Sequence, residues 1–430
     1  MPMGPILIFD KSTLQGLNPD EAVWLDNFFM SNITPLFYTE TLADLTKEMR
    51  NGRTAEQIVG EIAYKTPDMQ SRANVHHMAL VWGELMGKGD IKMVGFPILG
   101  RGQPVMLEGC TGIVYKQSPE AEALNRWREG QFLEVERGYA KKWREELDAV
   151  DLNAMQISFT EIWEKAGRPR TLEEIRNLAD NIVDGPEQQA VLILGLTLCM
   201  MGQEWVEQIL ARWESLGKPN VRTFAPYFTH VLTVDLTFYL AITAGLIGSE
   251  RKSNRADAAY LYYLPFCMVF SSRDKLHAKL VPLFLRQDQS FVDGTALKAD
   301  LKKLDEHYSA LPDDVKSEGL YSFAPYPPLE GAFLVTELWQ KHMKKPDSYG
   351  DPDPAAFTGK TLNVPPAGSD PEEIKKVLDA FEAEAIPAGP DADIALENAA
   401  VVTFQSFIIP KKGKWLRVPS SVFEKGSEKG

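Results

Sequence analysis

Pro5-Ile6-Leu7-Ile8-Phe9-Asp10 is the stretch on which the reading of the fold turns: an apolar run that stops at an aspartate. Such a run, bounded by polar residues, predicts a buried strand ending at Asp10. Working outward, Asn18-Pro19 offers an N-cap followed by proline in the first turn, and Ala22, Leu25, Phe28 and Phe29 share one helical face over Asn18–Met30. Ile33–Tyr38 reads as a second short strand, with Thr39 capping a helix over Glu40–Arg50. Strand, helix, strand, helix in this order predicts a parallel α/β sheet.

Residues 51–225 interrupt that pattern. Pro119–Val150 carries Glu, Arg, Ala and Trp at helical spacing, Thr171–Asp184 opens on a Thr-Leu-Glu-Glu capping box, and Glu187–Gly217 is strongly helical. Within this block Gly95–Tyr115 is rich in glycine and predicts a loop with a short strand or two. The block as a whole reads as a helical insertion or cap. Residues 226–345 return to α/β character, with helices at Tyr227–Gly248 and Asp257–Leu264, a strand at Cys267–Ser271, and helices from Asp274, Thr295 and Glu330 onward. Residues 346–400 are rich in Pro, Asp, Gly and Ala, with one helix expected at Pro371–Ala385; a strand at Ala400–Ile409 and a hairpin turning at Lys411–Lys414 complete the 346–430 extension.

Four hundred and thirty residues, 44% hydrophobic and 25% charged, suffice for a large buried core and describe a folded chain rather than a disordered one. The formal net charge of −14 argues against whole-surface binding of nucleic acid, though not against a local basic patch. Three scattered cysteines without a CxxC pair argue against a disulfide framework or a zinc site and fit a reducing, cytoplasmic setting. Ala190–Met201 is too short to span a bilayer, and Val231–Ile247 contains Asp235, so no membrane partner is expected.

The chemistry concentrates in carboxylates. In an open parallel sheet, ligands bind beyond the carboxyl ends of the strands. Asp10 lies there, and Asp274 repeats the arrangement after Cys267–Ser271. Asp257 opens the preceding helix, at an interval that lets it return to the same edge. Glu40 and Asp44, one helical turn apart, share a face of the helix after the second strand. Each alone has a plain structural role as helix cap or solvated acid. Together they would repel strongly without cations, and an oxygen-only donor set suits Mg²⁺ or Mn²⁺. Such an ion can activate water and orient a phosphodiester. Ser271, Ser272 and Lys275 flank Asp274 and are candidates for substrate contact.

These residues resemble the PIN-like nuclease family. Ile6–Asp10 is similar to that family's opening strand and acid, Ile33–Leu45 to its second strand and acidic helix, and Asp257–His277 to its final acids. The resemblance covers about 100 residues in two pieces. It implies a three-layer α/β/α sandwich around a central parallel sheet, here with a large mostly helical insertion, and Mg²⁺- or Mn²⁺-dependent endoribonuclease chemistry. RNA, or else DNA, would be the substrate, with Asp10, Asp44, Asp257 and Asp274 as catalytic acids and Glu40 as a further metal ligand. Two departures stand out: the long interval between the acid pairs, and Asp44 where the family has Glu, with Glu40 a turn earlier. The sequence leaves open which of the two is the ligand. The alternative is a catalytically inactive PIN-like module that binds a protein through the insertion.

Other features weigh less. Asp235, inside an apolar helix, needs a partner and could either join the acids or pair with a nearby arginine. His76-His77 point to different helix faces, which disfavours chelation by both, and His277 lies within reach of the crevice. A haloacid-type phosphatase requires a second aspartate where this chain has Ser12. Lys411–Trp415 could touch RNA, or its lysines could simply keep an edge hairpin soluble.

Overall fold

The computed structural model describes residues 4–49, 52–68, 71–100, 102–107, 110–115, 118–149, 151–343, 386–387, 400–403, 411–417 and 419. Its centre is a five-stranded, wholly parallel sheet. The strands are β1 (Ile6–Phe9), β2 (Met30–Ile33), β3 (Ser71–Ala73), β6 (Val269–Ser272) and β7 (Ser290–Asp293), in the order β3-β2-β1-β6-β7. β1, β2 and β6 are buried at every position, as expected of inner strands covered on both faces. Ile6 pairs with Met30 on one side, and Leu7 with Val269 on the other.

The chain builds outward from β1 in one direction to β3 and in the other to β7. The order therefore reverses between β1 and β6, which places a crevice at their carboxyl ends.

Helices cover both faces. On one lie α1 (Lys11–Gly16), α2 (Pro19–Phe28), α3 (Pro35–Glu48) and α4 (Ala55–Lys65). Their apolar side chains share a core with Leu7, Phe9, Ile33 and Val269. On the other, Ile6, Ile8, Met30 and Phe270 meet a helical mass. It comprises α5 (His77–Leu85), α8 (Leu152–Lys165), α9 (Leu172–Val183), α10 (Gln188–Leu198), α11 (Gln203–Ser215), α12 (Val221–Phe224) and α13 (Pro226–Thr243). α13 is the axis of this mass: its residues from Tyr227 to Thr243 are buried except His230, and α8 and α9 pack along it. Each large apolar side chain so buried contributes about 1.5–3 kcal/mol, so the helical region is a second core joined to the sheet rather than a loose cap. No helix among the described residues is long and apolar enough to cross a membrane.

On the face of α3 and α4, α6 (Pro119–Arg128) and α7 (Glu134–Ala149) divide the expected long helix, with Gly130 in a left-handed turn between them. α7 packs on α3. The glycine-rich stretch forms β4 (Gly102–Leu107) and β5 (Cys110–Tyr115), an antiparallel pair. They belong to a separate four-stranded sheet, β8-β4-β5-β9, with β8 (Ile386–Pro387) and β9 (Ala400–Thr403). β9 accounts for the start of the strand expected at Ala400–Ile409; the rest of that strand and the helix expected at Pro371–Ala385 lie outside the described residues. After α14 (Asn254–Ala259) the chain tightens into a 3-10 stretch, Tyr260–Phe266, and after β6 come α15 (Lys275–Leu280) and α16 (Gly294–Ser309). Shorter helices follow at Asp313–Ser317 (α17), Leu320–Phe323 (α18) and Leu334–His342 (α19), and the chain ends in a hairpin of β10 (Lys411–Lys412) and β11 (Trp415–Leu416).

Two expectations are corrected. The second strand is Met30–Ile33, not Ile33–Tyr38, and the following helix starts at Pro35 with Thr34, not Thr39, at its N-cap. Pro35 fits the first helical turn because its missing N–H has no partner there anyway. Leu36–Tyr38 is apolar because Phe37 and Tyr38, with Leu42 and Leu45, form the buried face of α3. α4 packs against α1, α2 and α3, and β3 is an edge strand of the central sheet, so these elements of the 51–225 block lie with the sheet.

Candidate functional site

The β1/β6 crevice is built around Asp10, only 3% exposed. Its carboxylate caps α1: Oδ1 accepts from Thr13 N at 2.9 Å and Thr13 Oγ1 at 2.8 Å. Oδ2 accepts from Ser12 Oγ at 2.8 Å and from Ser272 Oγ, across on β6, at 2.7 Å. The capping role and the position at the sheet edge thus coexist in one side chain.

His277, fully buried on α15, completes this layer. Its Nε2 lies 2.7 Å from the carbonyl oxygen of Asp257, which can only accept. Its Nδ1 lies 2.7 Å from Ser272 Oγ, whose single proton is directed to Asp10. Both ring nitrogens thus face oxygens, an arrangement that suits the protonated ring. Burial alone would lower its pKa, but the hydrogen bond and charge of Asp10, with Asp257, push it up to about 9. The reciprocal effect holds Asp10 below its ordinary value: burial works the other way but is outweighed by His277, Ser272 and Ser12.

Glu40 reaches the same layer from α3. Tyr260, immediately after α14, donates to its Oε2 at 2.7 Å. Burial, then the charges of Asp10 and Asp257, push Glu40 up to about 8. Asp257, on α14, is pushed up to about 7 by burial and by Asp274 and Asp10, against His277 and Arg251. Asp10, Glu40, Asp257 and Asp274 therefore come from four separate segments into one electrostatic neighbourhood.

Asp44 does not share it. Lys11, buried at the start of α1, donates to Asp44 Oδ2 at 2.7 Å and lies 2.7 Å from Glu48 Oε1. Asp44 is thus the partner of an internal lysine, whereas Glu40, one turn earlier on α3, feels the charge of Asp10. Asp274 caps α15, its Oδ1 accepting from Leu276 N at 2.6 Å, and its own N–H donates to Ser272 Oγ. Ser272 lies at the centre of the site, whereas strand alternation turns Ser271 to the opposite face, and Lys275 is exposed on the first turn of α15. Asp235 is not part of the cluster: it pairs with Arg255 at 3.3 Å and accepts from Tyr262.

Sequence reasoning missed Lys11, Tyr260 and Thr34. Thr34 stands abreast of Asp10 in the register of β1 and β2, is 1% exposed, and its Oγ1 has no hydrogen-bond partner among the described residues. The signal for Lys11 was its adjacency to Asp10, the N-cap of α1; Tyr260 and Thr34 gave none.

In kind, the donors fit a hard divalent cation: carboxylate and hydroxyl oxygens, two of the acids held in a field that favours their protonation, and an orphan buried hydroxyl beside them. Among the described residues, no group of three or more Asp, Glu, His or Cys side chains is arranged to hold a metal ion as it stands. Comparison of the chain with protein-family models, curated proteins and solved structures finds no match in any of the three.

Proposed function

We propose that the crevice at the carboxyl ends of β1 and β6 is the active site of a divalent-cation-dependent phosphodiesterase, of PIN-like type, acting on RNA in the first place and on DNA in the second. The observation that carries this reading is the meeting of Asp10, Glu40, Asp257 and Asp274 at the strand-order reversal, with Glu40 raised to about 8 and Asp257 to about 7 by burial and by one another's charge. Acids placed so are poised to exchange protons for a metal.

Mg²⁺ or Mn²⁺ bound there would supply polarisation of the phosphodiester and of the attacking water. Asp10, Glu40 and Asp257 would hold it, with Asp274 at the rim. The chain's own part is orientation. The α1 amide and Ser272 fix the Asp10 carboxylate, Tyr260 fixes Glu40, and Lys11 keeps Asp44 and Glu48 out of the site.

A second reading, an inactive module that binds a protein through its helical region, is favoured by one observation: Asp10 already has four hydrogen-bond donors and the His277 ring 3.6 Å away. Cleavage of short single-stranded RNA and DNA with Mn²⁺ separates the two. The first reading expects cleavage that Asp10→Asn reduces by at least on the order of 100-fold. Absence of cleavage, or cleavage indifferent to that substitution, favours the second.

A further inference from the structure

Far from the acid crevice, the C-terminal hairpin is seated in a second cluster of charge. Arg417, 2% exposed, donates from Nη1 to Asp68 Oδ1 at 2.6 Å and from Nη2 to Asp26 Oδ2 at 2.5 Å. Lys412, fully buried, donates to the Thr66 carbonyl at 3.0 Å and lies 3.6 Å from Asp68. The two aspartates adjoin, since Asp68 N donates to Asp26 Oδ2 at 3.2 Å. Two neighbouring buried carboxylates without cations would be strongly disfavoured, so this pocket is built to be filled by a cationic segment.

The fit extends beyond charge. Lys414 N donates to Asp20 Oδ1 at 2.7 Å, and Asp305 takes both the Lys414 ammonium at 2.6 Å and the Trp415 indole N–H at 2.7 Å. The Trp415 ring meets Trp24 edge-on, with centroids 4.8 Å apart. At Gly413, φ is +58°, and a Cβ there would collide with the Asp20 carboxylate, so the turn admits glycine alone. The hairpin's own strands are two residues each and, among the described residues, pair only with one another, too little to hold the shape in isolation. Its form therefore comes from the pocket, in the manner of a bound peptide.

We infer that this pocket is a recognition site for a Lys-Gly-Lys-Trp-x-Arg turn, that the chain's own residues 412–417 occupy it as a separable ligand, and that the same peptide offered in trans competes for it. The reading is independent of the chemistry assigned to Asp10, because no residue is shared between the two sites.

The test uses the full chain carrying a specific protease site introduced between β9 and the hairpin, within residues 404–410, so that the released fragment carries neither β8 nor β9. After cleavage the C-terminal fragment is expected to co-elute with the body in gel filtration. A fluorescent peptide spanning residues 408–420 should then bind saturably and displace that fragment over prolonged incubation. The same peptide with Arg417→Gln should bind about 100-fold more weakly, as for loss of one partner of a buried charge pair. Because the substitution lies in the peptide, the receptor is the same in both arms. Loss of the fragment on cleavage, absence of saturable uptake, or equal binding of the two peptides overturns the proposal.

Discussion

At the scale of single residues, the acid crevice is decided by which cations are already spoken for. Lys11 lies between Asp44 and Glu48, and Asp44 is one-third exposed, so Asp44 is neutralised without help. Glu40 accepts from the Tyr260 hydroxyl, and burial with the charges of Asp10 and Asp257 outweighs the charge of Lys11 on it. Under the proposed function, Glu40→Gln should weaken Mn²⁺ binding, read by titration calorimetry, by at least on the order of 10-fold, whereas Asp44→Asn should change it several-fold less. Equal losses would restore Asp44 as a ligand. The same residues set a pH dependence. Glu40, Asp257 and His277 all have folded-state values above their ordinary ones, at about 8, 7 and 9. Each therefore binds protons more tightly folded than unfolded. Its stabilisation is complete below the unfolded value and is lost as pH rises through the folded one. The metal-free protein should melt progressively lower between pH 6 and pH 9, and Glu40→Gln should flatten that fall. A melting temperature that rises over this range would contradict the assignment of these three groups.

At the scale of elements, the arrangement of α14 matters most. It is a six-residue helix carrying Asp257, too short to hold a carboxylate in place by itself. Its anchor is Arg255, paired to Asp235 on α13 and donating to the Tyr239 hydroxyl at 3.1 Å, while Tyr262 also binds Asp235. Asp235 thus found the arginine partner that a buried acid demands, and the buried pair ties the helical mass to the crevice. Arg255→Met leaves Asp235 buried and uncompensated, a loss of about 3–5 kcal/mol in unfolding free energy. Denaturant melts measure it, and a loss under about 1 kcal/mol would show that the pair is not what holds α14. Legibility at this scale was uneven for physical reasons. Pro5–Asp10 could be read because a fully buried strand is written as an uninterrupted apolar run. Met30–Ile33 could not, since Ser31 and Asn32 are polar residues buried in an inner strand, Asn32 Nδ2 donating to the Phe266 carbonyl at 2.8 Å. The apolar Leu36–Tyr38 beside them imitated the strand. β3 and β7, short and partly exposed edge strands, carry no such run at all.

At the scale of the whole molecule, the placing of Asp10 and Asp274 at one sheet edge was legible because strand-end aspartates are local signals and a parallel sheet gathers strand ends on one edge. The C-terminal docking was not, because nothing in Lys411–Arg417 names the acids that receive it. The sequence suggests an RNA contact or a solubilising tip; the structure turns Lys412 and Arg417 inward and ties Lys414 to Asp305. If the hairpin docks as one unit, its contacts cannot be lost independently. Trp415→Ala removes an indole that is 3% exposed, and such truncations cost about 3–5 kcal/mol. Arg417→Ala removes the guanidinium that donates to both Asp26 and Asp68, at a similar cost of about 3–5 kcal/mol. Once either substitution has released the segment, the other has little left to remove, so the double variant should lose no more than about 1 kcal/mol beyond the larger single loss. Denaturant unfolding of the four proteins in this cycle supplies the comparison. Additive losses would mean that the indole and the guanidinium are held separately, each by its own part of the body, and that the hairpin is two contacts rather than one docked element.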